Sequence, residues 1–402
     1  MAAADPVVVD FESLPSSASA PAPEALLDAV ARAFGPGGLG LIVVRGVPGY
    51  ADARRECLPF ARRFATLPDE VKAQYEDASS FYSFGWSHGK EKLEGKPDVA
   101  KGSFYFNPSF DAPAVGDEAV RFAPFFAPNI WPREAHCAGF EAANKRLARL
   151  LVDAGRRLAA AVDAHVARRL PRFEARLADV IERSRNAKAR LLYYFPAGGV
   201  DEAGEAAGGG KGAGGGSGGD GGAGGGGDGD AGAGSASAAE DEAISSWCGW
   251  HNDHGSLTAL ASAMYFDAEG TEIRCPDPAA GLYIKSRGGA TVRVSIPPDC
   301  CAFQIGETAQ IMSGGVLQAT PHCVRAARGH GCAGVARATL AVFMEPGPDG
   351  AMAPPEGADL GGLLASSELL PRGVPPLKGR WEAREPPMTF GEFTERTLKS
   401  YY

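Results

Sequence analysis

Seven short strand-like runs between residues 189 and 344 are the feature that most constrains how this 402-residue chain can fold. The runs are rich in Val, Ile, Leu, Tyr and Phe, and Gly, Pro and Asp turns separate them. Short strands alternating with such turns are typical of an antiparallel sandwich or barrel. The sequence therefore predicts a mainly β core over residues 186–348.

The first part of the chain has a different pattern. Apolar residues recur at helical spacing in residues 23–34 and 138–169, and the second stretch places Leu147, Leu150, Leu151 and Leu158 on one stripe. Apolar runs at residues 7–11 and 39–47 predict two strands. We therefore expect residues 1–185 to form a largely helical N-terminal region that packs on the core, with residues 79–110 as a long structured loop.

Two further segments differ in composition. Residues 197–240 interrupt the β core and are nearly all Gly, Ala, Ser and Asp. They have little apolar area to offset the entropy of ordering, so we expect a disordered loop. A phosphate-binding loop is the alternative, but the segment has no GK[ST] motif and no strand-to-helix frame. The tail, residues 349–402, is Pro-rich and ends in a short predicted helix with Thr389 and Glu392 as a capping box.

Composition argues against some classes of function. The net charge is −9 and there is no basic block, so nucleic-acid binding is not expected, because phosphate recognition needs concentrated positive charge. No uninterrupted apolar run is long enough to cross a bilayer, and the first residues lack the pattern of a secretory signal. The eight cysteines are scattered, which favours free thiols in a reducing compartment. We expect a soluble cytoplasmic protein.

Possible metal ligands are concentrated in WHNDHGSLT, residues 250–258. If residues 250–260 form a strand, His251 and Asp253 share one face and His254 points the other way. A third ligand should come from another strand, and His322 in SGGVLQATPHCV is the best placed. Two histidines and a carboxylate on one side of a metal leave the opposite positions open. That arrangement suits ferrous iron that must bind oxygen and a cosubstrate together.

Other interpretations of these residues remain open. A histidine in a strand is more often an ordinary core or surface residue than a ligand. Cys248, His251, His322 and Cys323 could also form a four-ligand structural zinc site. Against zinc, neither cysteine has a CxxC partner, and a closed site would leave Asp253 without a role.

A second group of residues suggests a carboxylate clamp. In ARATLAVFMEP, Arg337 and Thr339 are two positions apart on a predicted strand and therefore share a face. An arginine beside a hydroxyl binds a carboxylate well, and Tyr194 on the first core strand could add a phenol to the same anion. The alternative is that Arg337 is simply an exposed strand arginine.

These segments resemble a known family. WHNDHGSLT resembles the HxD segment of the isopenicillin N synthase-like iron(II)/2-oxoglutarate dioxygenases, which are common in plants and algae. SGGVLQATPHCV is similar to that family's distal-histidine segment, ARATLAVF to its R-x-S strand, and LLYYFP to the strand with a cosubstrate-binding tyrosine. VVVDFESL, LGLIVVRGVP and FATLPDEVKAQYE resemble its N-terminal domain. The resemblance spans roughly residues 5–347 in the family's order.

The resemblance implies a role for each matching residue. His251, Asp253 and His322 would bind Fe(II), and they would be the catalytic residues. Arg337 and Thr339 would hold the far carboxylate of 2-oxoglutarate with help from Tyr194. Three departures are the Leu192 that stands where the family usually has Asn, the RGHGCAG stretch between the last two motifs, and the glycine-rich insert before the HxD segment.

The fold that the resemblance implies is a double-stranded β-helix, or jelly roll, wrapped by helices. The implied activity is oxidation, usually hydroxylation, of a small organic metabolite by O2, with release of succinate and CO2. We expect a monomer with no nucleic-acid or membrane partner. Two alternatives remain: an iron-dependent oxidase that does not use 2-oxoglutarate, and a non-catalytic binding protein that keeps the fold. The sequence does not identify the substrate.

Overall fold

The computed structural model describes residues 5–90, 92–93, 96–114, 116–117, 121–171, 173, 177–196, 246–364 and 370–401. The glycine-rich insert, residues 197–240, lies outside these residues, so its predicted disorder stays a prediction. The division of the chain at residues 185 and 348 also stays a prediction.

The strands of the described residues are β1 Val7–Asp10, β2 Leu41–Arg45, β3 Gly85–His88, β4 Lys92–Leu93, β5 Lys96–Pro97, β6 Lys101–Phe106, β7 Lys188–Tyr194, β8 Cys248–His251, β9 Leu257–Ala261, β10 Met264–Phe266, β11 Glu272–Ile273, β12 Gly281–Lys285, β13 Thr291–Val294, β14 Cys300–Ile305, β15 His322–Arg325 and β16 Ala336–Met344. The helices are Glu24–Phe34, Tyr50–Cys57, Pro59–Ala65, Asp69–Lys72, Ala123–Phe126, Glu134–Cys137, Phe140–Arg169, Leu177–Arg183, Glu307–Met312, Leu360–Leu364 and Phe390–Tyr401. Short 3-10 turns lie at Phe11–Ser13 and Ala73–Tyr75.

Two sheets form the core. The major sheet has the order β1-β2-β14-β9-β16-β7-β6-β3, and β10 and β11 extend it beside β16. The minor sheet has the order β13-β12-β15-β8. The β1–β2 pair is parallel and the other pairs of these two sheets are antiparallel. Side chains from both sheets line one cavity, so the functional residues predicted from the sequence can meet there.

Residues 79–110 are not the continuous loop that the sequence suggested. β3 pairs with β6, and β6 pairs with β7 of the core. Five of the six residues of β6 are buried and Tyr105 is half-buried, so both faces of this strand are covered. Without an alternating apolar pattern, and with Lys, Gly and Ser in its first half, this segment carries no clear strand signal in the sequence. That prediction was wrong, and the N-terminal region adds strands to both edges of the major sheet.

The long helix Phe140–Arg169 packs on the face of the major sheet that points away from the cavity. Of the predicted apolar stripe, Leu147, Leu151 and Leu158 are fully buried and Leu150 is half-buried. The helix comes close to the sheet at Gly155, where an added Cβ would lie 2.6 Å from Met344 Cε and 3.1 Å from Phe303 Cε1. Glycine at this position allows close packing, and a larger side chain would require Met344 and Phe303 to shift.

The end of the chain also follows its predicted pattern. The Thr389 backbone N–H donates to Glu392 Oε2 over 2.9 Å, and the Glu392 N–H donates to Thr389 Oγ1 over 3.2 Å. These two bonds form the predicted capping box at the start of helix Phe390–Tyr401. Across the described residues, no helix is both long enough and apolar enough to span a membrane.

Gly155→Val tests the close packing of the long helix. Its added methyl groups should collide with Met344 and Phe303 and lower the free energy of unfolding by about 1–3 kcal/mol. The control Ala142→Val introduces the same side chain at an exposed position of the same helix and should cost only about 0.5 kcal/mol. Thermal and urea melts measure both. Equal stability of the two variants would contradict the packing described above.

Candidate metal centre and cosubstrate pocket

Two strands of the minor sheet bring two histidines together. β8 and β15 pair with His251 opposite His322, and the centroids of the two rings are 4.2 Å apart. Asp253 lies just after β8, with its Oδ1 3.9 Å from His251 Nε2 and 3.8 Å from His322 Nε2. Ligand atoms of the three residues all lie within 4.8 Å of one another. In the part of the chain that the structure describes, this is the group of side chains close enough to bind one metal ion.

The backbone that carries these ligands differs from the prediction. Residues 250–260 are not one strand, because β8 ends at His251 and β9 begins at Leu257. Asp253 lies in the loop between the two strands, where Gly255 and Ser256 make hydrogen bonds outside the ladder. His251 and Asp253 therefore converge through a loop rather than through strand alternation. His322 is the first residue of β15.

Hydrogen bonds and charges define the protonation of the three side chains. His251 Nδ1 lies 2.8 Å from the Gly249 carbonyl oxygen, which can only accept, so Nδ1–H donates and Nε2 faces Asp253. Burial, together with the neighbouring His251, lowers the pKa of His322 to about 4 and keeps that imidazole neutral. Burial opposes ionisation of Asp253, but His322 and His251 outweigh it and lower the pKa of its carboxyl group.

These three residues fit a divalent metal. The Asp253 side chain is 7% exposed, its Oδ2 has no hydrogen-bond partner, and no arginine or lysine of the described residues forms an ion pair with it. Burial opposes protonation of His251, but Cys248 and Asp253 outweigh it and raise its pKa to about 9, so either that imidazolium or a metal cation compensates the buried carboxylate. Two imidazoles and a carboxylate grouped together form the donor set typical of non-haem Fe(II) sites with open positions.

The same geometry bears on the zinc alternative and on His254. Cys323 follows His322 in β15 and therefore points to the other face, where it packs with Trp250 and Tyr283. The four residues of the predicted zinc site thus do not converge. His254 also points away from the other two histidines, and its ring stacks on Phe390 with centroids 5.7 Å apart and an angle of 8°.

The second group of predicted residues lines the same cavity. β7 and β16 pair with Tyr194 opposite Arg337 and with Leu192 opposite Thr339. Arg337 is 7% exposed, and its Nε and Nη1 have no hydrogen-bond partner among the described residues. Its Cζ lies 4.7 Å from the centroid of the Tyr194 ring. A buried guanidinium with free donors is suited to an anionic ligand, because unpaired donors in a buried site carry a large desolvation cost.

Thr339 and Tyr194 do not form with Arg337 the simple carboxylate clamp that the sequence suggested. The Thr339 hydroxyl donates to the Ala261 carbonyl oxygen over 2.7 Å, so its proton is already used. Tyr194 presents its ring face to Arg337. The metal-binding and cosubstrate-binding roles predicted for all six residues stay predictions at this point.

Two neighbouring residues were missed by the sequence analysis. Tyr265 on β10 lies opposite Arg337 and lines the cavity, and burial raises the pKa of its phenol while Arg337 opposes that rise. Gln304 on β14 is fully buried, with its side-chain amide 2.8 Å from His322 Nδ1. Neither residue lies in a distinctive motif, so only the pairing of distant strands identifies them.

Residues 7–134 match the family model of the non-haem dioxygenase in morphine synthesis N-terminal region. A full-length Neurospora crassa protein crystallised in complex with alpha-KG is similar in structure, with a TM-score of 0.58, 15% identity, and coverage of 98% of this chain and 95% of that chain. No curated protein sequence matches the chain.

Two further solved structures share the architecture. A Caulobacter crescentus protein assigned to the 2OG-Fe(II) oxygenase family has a TM-score of 0.57 and 17% identity, with coverage of 98% of this chain and 97% of that one. JOX2 in complex with 2OG, Fe and JA has a TM-score of 0.55 and 15% identity, with coverage of 99% and 86% respectively. The predicted jelly-roll core with flanking helices is confirmed.

Alanine variants test the metal centre. His251→Ala, Asp253→Ala and His322→Ala should each weaken Fe(II) binding by more than the roughly 10–100-fold that loss of an outer-shell partner costs. His254→Ala and Cys248→Ala are the matched controls and should bind Fe(II) normally, although Cys248 Sγ lies 3.9 Å from His251 Nδ1. Anaerobic calorimetric titration measures the affinities. Loss of the metal in Cys248→Ala but not in Asp253→Ala would support a cysteine-ligated site instead.

Proposed function

We propose that the chain is a non-haem Fe(II)/2-oxoglutarate dioxygenase, which its N-terminal family match and its fold support, and that it oxidises a small organic molecule with 2-oxoglutarate as cosubstrate. In the proposed reaction, O2 and 2-oxoglutarate are consumed, one oxygen atom enters the substrate as a hydroxyl group, and succinate and CO2 are released. His251, Asp253 and His322 hold Fe(II), which when bound supplies the oxygen activation that this oxidation needs.

One observation carries the proposal. The buried Arg337 guanidinium, with unpartnered Nε and Nη1, lines the same cavity as the two histidines and the aspartate. A metal site alone would fit many enzymes, but a metal site that shares its cavity with a buried arginine that has two unpartnered donors fits a ligand with a carboxylate at one end. 2-Oxoglutarate fits this description: one carboxylate can pair with Arg337, and the carboxylate at its other end, next to a ketone, can bind the metal.

The chain's residues then act through position and exclusion of water. Arg337 pairs with the far carboxylate, and the Tyr194 ring beneath the guanidinium limits its movement. Thr339 holds the far carboxylate less strongly than the serine of the family that the sequence resembles, because its hydroxyl donates to the Ala261 carbonyl oxygen. Leu192 contributes an apolar side chain to the cavity wall, at the position where the family that the sequence resembles usually has Asn. The cavity is thus arranged to orient the cosubstrate mainly through one ion pair.

The remaining lining favours a small, partly apolar substrate. Apolar side chains from both sheets form much of the wall, including Leu260, Leu282, Val294, Val324 and Phe343. Such walls bind organic molecules by excluding water, and the metal side of the cavity determines which C–H bond lies nearest to the iron. Among the proteins that share this fold, JOX2 was crystallised with 2OG, Fe and JA, which is consistent with a substrate of this size class.

Arg337→Leu tests the cosubstrate assignment. Removing one member of a buried charge pair costs about 2–5 kcal/mol, so 2-oxoglutarate affinity should fall on the order of 10²-fold or more. Thr339→Val should cost about 1 kcal/mol or less, because its hydroxyl proton is already donated to a backbone carbonyl. The measurement is anaerobic titration of the Fe(II) protein with 2-oxoglutarate, following the charge-transfer absorption of the chelate.

Arg274→Leu is the control, since it removes the same charge from an exposed position. It should leave the titration unchanged. All three variants should retain Fe(II), because none of these side chains is a proposed ligand. If the unmodified protein binds Fe(II) but shows no absorption change with 2-oxoglutarate, the cosubstrate assignment fails. Oxidised product without succinate on exposure to O2 would then indicate an iron-only oxidase, and the absence of both products would indicate a non-catalytic binder.

A further inference from the structure

A buried ion pair joins the C-terminal tail to the core beside the metal centre. Glu307 is the first residue of helix Glu307–Met312, and Arg380 belongs to the tail. Arg380 Nη2 donates to Glu307 Oε1 over 2.6 Å and Arg380 Nη1 donates to Glu307 Oε2 over 2.8 Å. The two side chains are 4% and 3% exposed. A bidentate pair in this environment is strongly directional, because little water is available to replace either partner.

Arg380 also connects separate parts of the tail. Its Nε donates to the Pro376 carbonyl oxygen and its Nη2 donates to the Pro375 carbonyl oxygen, each over 3.0 Å. Its Nη1 donates to Thr397 Oγ1 in the last helix, also over 3.0 Å. One guanidinium thus holds residues 375–376 and helix Phe390–Tyr401 against Glu307.

Glu307 in turn holds the loop that carries the metal ligands. Its Oε1 accepts a hydrogen bond from Asn252 Nδ2 over 3.1 Å, and Asn252 lies between His251 and Asp253. The Glu307 backbone N–H donates to the Asp253 carbonyl oxygen over 2.8 Å. Because Asp253 lies between β8 and β9, no strand ladder fixes its position, and these bonds take over that role.

The tail also covers the back of the ligand-bearing strands. Val374 packs with Trp250, Tyr283 and Cys323 on the face of the minor sheet opposite the metal ligands. Trp250 immediately precedes His251 and Cys323 immediately follows His322, so the strands are supported from behind at the two histidines.

We propose that Glu307 is a positioning residue for the metal centre and that the tail, through Arg380, fixes its carboxylate beside Asn252. This inference rests on the proposed metal-dependent function. The network reaches the loop at the Asn252 side chain and at the Asp253 carbonyl oxygen, so its loss should loosen the ligand set while the three ligands remain present. Changes in such supporting contacts typically weaken metal binding by about 10–100-fold.

The test uses Co(II) as the probe, because its visible absorption reports ligand geometry independently of turnover. Glu307→Met and Arg380→Met should each weaken Co(II) binding by about 10–100-fold and alter the absorption spectrum of the bound ion. Arg384→Met is the matched control: it removes another arginine of the tail that pairs with Glu392 over 2.7 Å, away from the ligand loop. It should bind Co(II) as the unmodified protein does.

A double variant separates positioning from stability. Arg380→Met alone strands a buried carboxylate and can unfold the protein, whereas Glu307→Met combined with Arg380→Met removes both charges and should restore the melting temperature. The double variant should remain folded yet bind Co(II) weakly, because Asn252 has lost its acceptor. Normal Co(II) affinity and spectrum in a folded double variant would overturn the inference while leaving the proposed function intact. Absence of Co(II) binding by the unmodified protein would overturn both.

Discussion

The negative charge of Asp253 is the constraint on which the rest of the centre depends. A buried carboxylate without an arginine or lysine costs several kcal/mol unless a cation compensates it. Beside it in the structure are two imidazoles, one of which burial keeps neutral at physiological pH. A divalent ion would meet that requirement and use all three groups as ligands. The pairing of β8 with β15, the loop after β8 and the contacts of the tail all determine where this one charge lies.

The ligand set was predictable because its residue types are rare and appear in a recognisable order. The chain has seven histidines, and His251 and His322 lie in segments that resemble two motifs of one family. The structural argument behind the prediction was nevertheless wrong in one respect. Asp253 does not share a strand face with His251, because the strand ends at His251 and the loop bends. A motif can thus indicate which residues meet without showing how the backbone brings them together.

Two local patterns of the helices were predicted well, whereas the strands within residues 79–110 and several contacts between distant segments were not. The capping box at Thr389 and the apolar stripe of the long helix depend on residues within a few positions of one another. Tyr265, Gln304 and the pair Glu307–Arg380 matter because the fold joins segments far apart in the chain, and single-sequence periodicity carries no signal for that. The cytoplasmic location, the monomeric state and the roles of the cosubstrate residues are still predictions.

The position of β2 has a consequence for how the chain matures. Its partner β14 lies near the end of the core, and the contact between Cys301 and Val44 spans 257 residues. Four of the five residues of β2 are buried in the finished sheet. During synthesis this segment leaves the ribosome long before β14 exists. Pairings of such long range are formed slowly, and an apolar strand without its neighbour is prone to aggregate. The protein's yield in a cell should therefore depend on chaperones that shield β2 until β14 has been synthesised.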